Sequence, residues 1–197
     1  MHNKEKAASA VFFSPSAILL MLCIAFLTTT PLACAKTIVS IYPSAKTVAR
    51  GETFTVDVYV EPDREIAGMQ FNLKFNSSLL KVNSVSEGDL FKQGGHITFF
   101  NPGMIDNEEG IISEVWGIII GRGSVSTPGT FAIINMTASN SKTGISHISL
   151  FHVKVTDPEG NPVPITIENG TVEVHSEHEI CFDTGSCLLY TSPSPRD

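Results

Sequence analysis

A two-residue alternation of apolar and polar side chains constrains the fold of this chain more than any other feature of its sequence. In the segment 53–60, every second residue from Phe54 to Val60 is apolar, and the residues between them are mostly polar. The segment 69–75 alternates still more regularly. This period is that of a β-strand with one buried face. No stretch beyond the N-terminal apolar run carries a sustained helical stripe.

Further strands are predicted from short apolar segments separated by turn residues. Clusters of Gly, Pro, Asn and Asp, such as 101–103 and 157–161, stand between them. Many short strands divided by turns predict an all-β fold, an antiparallel β-sandwich in which two sheets share one core. The additional strand candidates are 37–42, 79–86, 96–100, 111–120, 130–138, 145–155 and 164–174.

The N-terminal segment has the pattern of a secretory signal peptide. Residues 1–35 carry two early lysines and an apolar run at 17–27, and they end in an A-x-A arrangement of small residues. This pattern predicts export and cleavage after Ala35. A less favoured interpretation makes Cys34 a lipid-modified first residue, but Pro31 stands where such sites usually carry Leu.

The C-terminal segment differs in character from the rest of the chain. Residues 187–197, CLLYTSPSPRD, resemble a translated sequencing adaptor, so no functional argument is placed on them. The polar stretch 175–186 is predicted to begin a linker. The predicted folded domain is therefore 36–174, one module of a longer chain and expected to be monomeric.

Charge and cysteine content exclude several classes of function. The chain carries a net charge of −7 and has no run of Lys or Arg. Because phosphate binding requires clustered cations, no nucleic-acid partner is expected. Of the four cysteines, only Cys181 lies between the two terminal segments. Neither a disulfide framework nor a cysteine-based metal site is therefore expected.

Four segments of the chain stand out together by their order and spacing: 51–60 (GETFTVDVYV), 66–91 (IAGMQFNLKFNSSLLKVNSVSEGDLF), 129–138 (GTFAIINMTA) and 157–174 (DPEGNPVPITIENGTVEV). Together they resemble the cohesin domain, the receptor module of cellulosome scaffolds and of related cell-surface proteins. The resemblance implies a nine-stranded jelly-roll sandwich that binds a dockerin module on another protein, usually a polysaccharide-degrading enzyme. Calcium in such pairs belongs to the dockerin, so the resemblance implies no metal or cofactor here.

The resemblance also implies which side chains meet the partner. Cohesins bind through outward residues of their third, fifth, sixth and eighth strands. On the third strand of this chain those residues are Gln70, Asn72 and Lys74, which are the candidate partner-binding residues. Gly68 and Gln70 stand where characterised scaffold cohesins often carry Asn and Asp. The alternative is that the three side chains form only a solvated sheet face.

The single tryptophan leaves two interpretations open. Strict alternation would place Ile112, Glu114 and Trp116 on one face, and burying that face would bury an unpaired carboxylate. The favoured interpretation is a core Trp116 with Glu114 at a bulge or strand edge. Alternatively, Trp116 is an exposed platform that stacks on a sugar ring, with Tyr59 as a second such aromatic. That alternative predicts direct carbohydrate binding.

No catalytic or metal-binding motif is found. Asp106, Glu108 and Glu109 lie together in a turn-like stretch, where solvation explains them better than hydrolytic chemistry does. The segment also lacks the ligand spacing of a dedicated calcium loop. The chain is therefore not expected to be an enzyme.

Three Asn-x-Ser/Thr sequons, at Asn76, Asn135 and Asn169, are candidate N-glycosylation sites and suit an exported domain. The sequence as a whole predicts a secreted or cell-surface recognition module that binds a dockerin-bearing protein in polysaccharide breakdown or surface assembly. Two alternatives stay open. One is direct polysaccharide binding, and the other is a passive structural module of a surface-layer or adhesin protein.

Overall fold

A computed structural model describes residues 36–176, together with the strand segments 180–182 and 186–188. The predicted signal peptide and most of the adaptor-like segment lie outside the described residues. Within the described part of the chain, no helix has the length and apolar character needed to cross a membrane.

Between residues 36 and 176 the chain forms twelve strands and one short 3-10 helix, Leu90–Gly95, which follows the fifth strand. The strands are β1 Thr37–Tyr42, β2 Ala45–Ala49, β3 Thr53–Glu61, β4 Gly68–Lys74, β5 Leu80–Glu87, β6 Thr98–Asn101, β7 Met104–Asp106, β8 Ile111–Ile119, β9 Gly129–Ala138, β10 Gly144–Thr156, β11 Ile165–Glu168 and β12 Gly170–His175. Further along, β13 (Ile180–Phe182) pairs with β14 (Ser186–Leu188) in a separate two-stranded sheet. The linker assignment for 175–186 stays a prediction.

The twelve strands form two sheets, which confirms the predicted all-β sandwich. The first sheet has the order β11-β1-β3-β9-β5, and the second has the order β2-β12-β10-β4-β8-β6, with β7 also paired to β8. Neighbours are antiparallel, except that β1 pairs with β11 and β2 with β12 in parallel. β2 and β7 lie outside the predicted strand segments, and the predicted strand 164–174 is divided into β11 and β12. The predicted single strand 164–174 therefore crosses from the first sheet to the second at Asn169.

An aromatic cluster joins the two sheets at the centre of the core. Phe131 on β9 of the first sheet is 2% exposed. Its ring makes edge-to-face contacts with Phe71 of β4, with Phe91 of the 3-10 helix and with Phe100 of β6. The ring-centroid distances are 6.0, 5.5 and 5.7 Å, respectively. Above this cluster β8 carries Gly117, where a Cβ would lie only 3.1 Å from Phe131 and 3.3 Å from Phe100. A glycine there lets β8 approach the cluster closely.

The edge strand β5 is covered by a side-chain amide. The Oδ1 atom of Asn107 accepts a hydrogen bond from the Val82 N–H at 2.8 Å, and its Nδ2 donates to the Val82 carbonyl at 3.0 Å. The amide thus occupies backbone groups that an edge strand would otherwise offer to another chain.

Removing the central ring should cost far more stability than removing an exposed one. We expect Phe131→Ala to lower the free energy of unfolding by about 3–5 kcal/mol, because it leaves a cavity between the sheets. The matched control is Phe99→Ala, which removes a ring that is 50% exposed and should cost about 1 kcal/mol. Urea unfolding of both variants measures the difference. Equal losses would contradict the central role of Phe131.

Candidate functional site

The outer face of the second sheet brings the predicted partner-binding residues together with side chains from both neighbouring strands. Gln70 and Lys74 of β4 are exposed, and Asn72 between them is half-buried. In the strand register, Gln70 lies between Lys154 of β10 and Trp116 of β8. We call the β4 and β10 side of this surface its polar half.

A shallow depression of about 590 Å³ marks the centre of this face. A smaller one of about 180 Å³ adjoins it and shares Gln70, Trp116 and Lys154 as lining residues. Carboxylate, imidazole, amide, ammonium and indole groups meet around the larger depression, so it presents hydrogen-bond donors, acceptors and an aromatic edge within one small area. Its lining residues are Gln70, Asn72, Glu114, Trp116, His152, Val153 and Lys154.

Beside the polar half lies an exposed apolar strip formed by β6 and β8. Phe99, Trp116 and Ile118 are 50%, 36% and 43% exposed. Phe99 and Trp116 stack with ring centroids 5.1 Å apart and an interplanar angle of 22°. Ile97 and Ile120, both exposed, continue the strip at its end. Sequence reasoning missed Phe99 and the two isoleucines; the signal was the excess of apolar residues in the segments 97–100 (ITFF) and 118–120 (III).

The expectation that Trp116 is a core residue is wrong. A β-bulge in β8 changes which residues face inward, because Ile112 and Val115 are both fully buried with two residues between them. Past the bulge Val115 points into the core and Trp116 points out. The accompanying expectation that Glu114 sits at a bulge is confirmed.

A second bulge interrupts β10 on the other side of β4. The register of β10 against β4 shifts between Phe151 and Lys154, and the register of β8 against β4 shifts between the partners of Phe71 and Leu73. At the two bulges Glu114 has φ of 58° and His152 has φ of 51°. This left-handed conformation costs a residue with a Cβ about 1–2 kcal/mol.

Asn72 bonds to both bulges. Its Oδ1 accepts a hydrogen bond from the Glu114 N–H at 2.9 Å, and its Nδ2 lies 3.4 Å from Nδ1 of His152. The carbonyl of Glu114 accepts a further hydrogen bond from Nδ2 of Asn101 at 2.9 Å. Side-chain amides therefore replace the ladder hydrogen bonds that the bulge in β8 disrupts.

Gly68 has a packing role beside the site. A Cβ at this position would lie 2.6 Å from Oγ1 of Thr156 and 3.4 Å from a methyl of Ile118. The neighbouring side chains therefore close over the backbone of β4. A larger residue here would have to displace Thr156.

Tyr59, the second predicted carbohydrate-binding aromatic, lies on the first sheet and cannot share a platform with Trp116. Its ring centroid is 6.1 Å from that of Tyr42, at an interplanar angle of 42°. The two rings line a separate groove of about 570 Å³ that also includes Glu61. Nearby, burial raises the pKa of the Asp57 carboxyl above its ordinary value, and the hydrogen bond from Thr130 opposes that shift.

The three sequon asparagines stay predicted glycosylation sites. Asn76 and Asn169 are exposed, and Asn135 is half-buried on β9 of the first sheet. The Oδ1 atom of Asn135 accepts a hydrogen bond from Asn83 at 2.6 Å.

In the acidic turn before β8, the carboxylate of Asp106 accepts hydrogen bonds from backbone groups of the same turn. Oδ1 of Asp106 accepts hydrogen bonds from the N–H groups of Glu108 and Glu109, both at 2.9 Å. In the residues that the structure describes, no three His, Cys, Asp or Glu side chains are grouped so that they could hold a metal ion.

The family model of the cohesin domain matches residues 39–174. This match spans more than half of the chain, and the chain belongs to the cohesin domain family. No curated protein matches the chain.

Solved structures of cohesins share the fold at low sequence identity. A non-cellulosomal cohesin from the archaeon Archaeoglobus fulgidus has a TM-score of 0.57 and 21% identity, with 74% of this chain and 95% of that chain covered. The OlpA cohesin from Clostridium thermocellum, solved in a type I cohesin–dockerin complex, has a TM-score of 0.58 and 22% identity, covering 72% of this chain and 100% of that one. The sixth cohesin of scaffoldin B from Acetivibrio cellulolyticus, also solved with a dockerin, has a TM-score of 0.59 and 19% identity, with coverage of 72% and 100%.

The position of Trp116 can be tested by its fluorescence, since it is the single tryptophan of the chain. We expect acrylamide to quench the emission of the native protein, because the indole is on the outer face. The variant Phe99→Ala should be quenched more strongly, because it removes the ring that covers one side of the indole. Emission that resists acrylamide until the chain is unfolded in urea would contradict this placement.

Proposed function

We propose that this chain is a noncatalytic module that binds a dockerin-bearing protein through the outer face of its second sheet. The observation that carries the proposal is the exposed apolar strip of Phe99, Trp116 and Ile118 beside the polar half of the same face in a cohesin domain. Two of the structurally similar cohesins named above were solved with a dockerin bound.

The apolar strip supports a protein partner. Contiguous exposed apolar side chains bordered by polar residues are typical of interaction surfaces. Aromatic side chains are also enriched at interface centres, where burial of a large ring contributes strongly to affinity. Trp116 lies where the strip meets the polar half and lines both depressions, so it is expected to be the main anchor.

The charge of the face supports selectivity. The chain carries a net charge of −7, yet Lys74 and Lys154 stand exposed on the polar half. Acidic groups of a partner placed opposite these lysines would be attracted, while basic groups placed there would be repelled. Gln70 and Lys74 are accordingly proposed as direct partner contacts.

Direct polysaccharide binding is less well supported. Stacking on a sugar ring requires an open aromatic face, and Phe99 already covers one side of Trp116. Tyr59 lies on the other sheet, so the two predicted sugar-binding aromatics do not form a row.

The setting of the module is also part of the proposal. The signal-peptide pattern and the three sequons support export to the exterior or the cell surface. Dockerins are usually carried by polysaccharide-degrading enzymes, as the family resemblance implies, so the proposed role lies in assembling such enzymes.

The proposal is tested by offering the purified chain a panel of dockerin domains encoded by the same genome, with insoluble polysaccharides in parallel. We expect a dockerin to be retained and the polysaccharides not to be. Binding to polysaccharide alone, or to neither, would overturn the proposal and favour the sugar-binding or the passive structural alternative.

Placing a charge in the apolar strip should weaken this binding. We expect Ile118→Asp to weaken dockerin affinity at least about tenfold, because the carboxylate would lose its hydration at the interface. The matched control is Ile167→Asp on the first sheet, since Ile167 is 38% exposed and Ile118 is 43% exposed. Isothermal titration calorimetry on both variants gives the comparison. Equal effects of the two substitutions would place the interface elsewhere.

A further inference from the structure

Two residues on the proposed binding face hold a backbone conformation that the chain otherwise gives to glycine. In the described part of the chain, Glu114 and His152 are the two non-glycine residues with positive φ. Eight glycines, among them Gly51 and Gly103, have positive φ elsewhere. The two exceptions both line the central depression, one on each strand beside β4.

Hydrogen bonds of the two side chains within the fold do little to offset the cost of this backbone conformation. The carboxylate of Glu114 makes no hydrogen bond or ion pair with the residues that the structure describes. His152 is exposed, and its side chain has one hydrogen-bonding contact with the described residues, the 3.4 Å approach to Asn72. Strained residues that cluster in this way indicate a functional constraint. At both positions, glycine would adopt the left-handed conformation at a lower free-energy cost.

The orientation of the Asn72 amide determines which nitrogen of His152 can donate a hydrogen bond to a partner. The Glu114 backbone N–H can only donate, so the Asn72 atom that faces it is the acceptor Oδ1. The Nδ2 donor of Asn72 is then directed at Nδ1 of His152, which must accept. The neutral imidazole therefore carries its proton on Nε2.

We infer that Glu114 and His152 determine the specificity of the face and that Asn72 is a positioning residue that holds both. This inference rests on the proposed function and names the chemistry of its centre. A carboxylate acceptor and an Nε2–H donor line one depression, and Trp116 forms part of its wall. The complementary partner group is neutral and carries both a donor and an acceptor, as a carboxamide side chain does.

The first test separates backbone strain from function. Glu114→Gly and His152→Gly should each raise Tm by about 2–4 °C, because glycine relieves the left-handed conformation. The matched controls are Thr55→Gly and Glu61→Gly on β3 of the first sheet, two exposed strand residues without positive φ. They should lower Tm by a similar amount. Lower Tm for all four variants would overturn the inference.

The second test measures binding with the same four variants. The probe is the dockerin retained in the panel experiment, titrated by calorimetry. Glu114→Gly and His152→Gly should weaken binding at least about tenfold, whereas the two controls should stay within about twofold. His152→Gln keeps a donor at the Nε2 position and should restore part of the loss.

The outcomes of the two tests are distinguishable from failure of the proposed function. A wild-type chain that binds a dockerin while both glycine variants bind equally well would overturn this inference and leave the proposed function intact. A wild-type chain that binds none of the panel would overturn both.

The role of Asn72 has a spectroscopic test that needs no partner. The ¹⁵N chemical shifts of His152 should show the proton on Nε2 in the wild-type chain, and Asn72→Leu should move them toward the tautomer mixture of a free histidine. The variant Asn72→Asp retains an acceptor for the Glu114 N–H, so the Glu114 amide should stay protected from hydrogen exchange. A wild-type proton on Nδ1 would overturn the positioning role.

Discussion

The contact of Phe131 with rings from the opposite sheet is the interaction on which the rest of the sandwich depends. It brings β9 of the first sheet against β4 and β6 of the second. Because Gly117 leaves room above this cluster, β8 lies close to it. The inward positions of β8 are apolar, with glycine at the point of close approach, whereas Trp116 and Ile118 lie on the outer face.

The proposed binding face is shaped by departures from regular sheet geometry. Bulges in β8 and β10 flank β4, and Asn72 bonds to both. Bulges commonly redirect side chains beside functional sites. Here they place Glu114 and His152 around one depression, at a conformational cost that a purely structural sheet would avoid.

Much of the fold could be predicted because burial of one sheet face imposes a period of two. The predicted segment 37–42 coincides with β1, and 130–138 differs from β9 by one residue. The alternation of inward and outward side chains also placed Gln70 and Lys74 correctly on the outer face. The alternation failed for Trp116, because one extra residue in a strand moves every later side chain to the opposite face of the sheet. The local sequence carries no signal for that extra residue.

By itself, the sequence determined the all-β class, the approximate strands, the family resemblance and the outward side chains of β4. These follow from local alternation and from motifs that can be read along the chain. Only the tertiary structure decided that Trp116 stacks on Phe99, that Tyr59 lies on the opposite sheet, and that Asn72 is held between two bulges. Those facts depend on register between strands that are distant in sequence, and register is fixed by packing across the core.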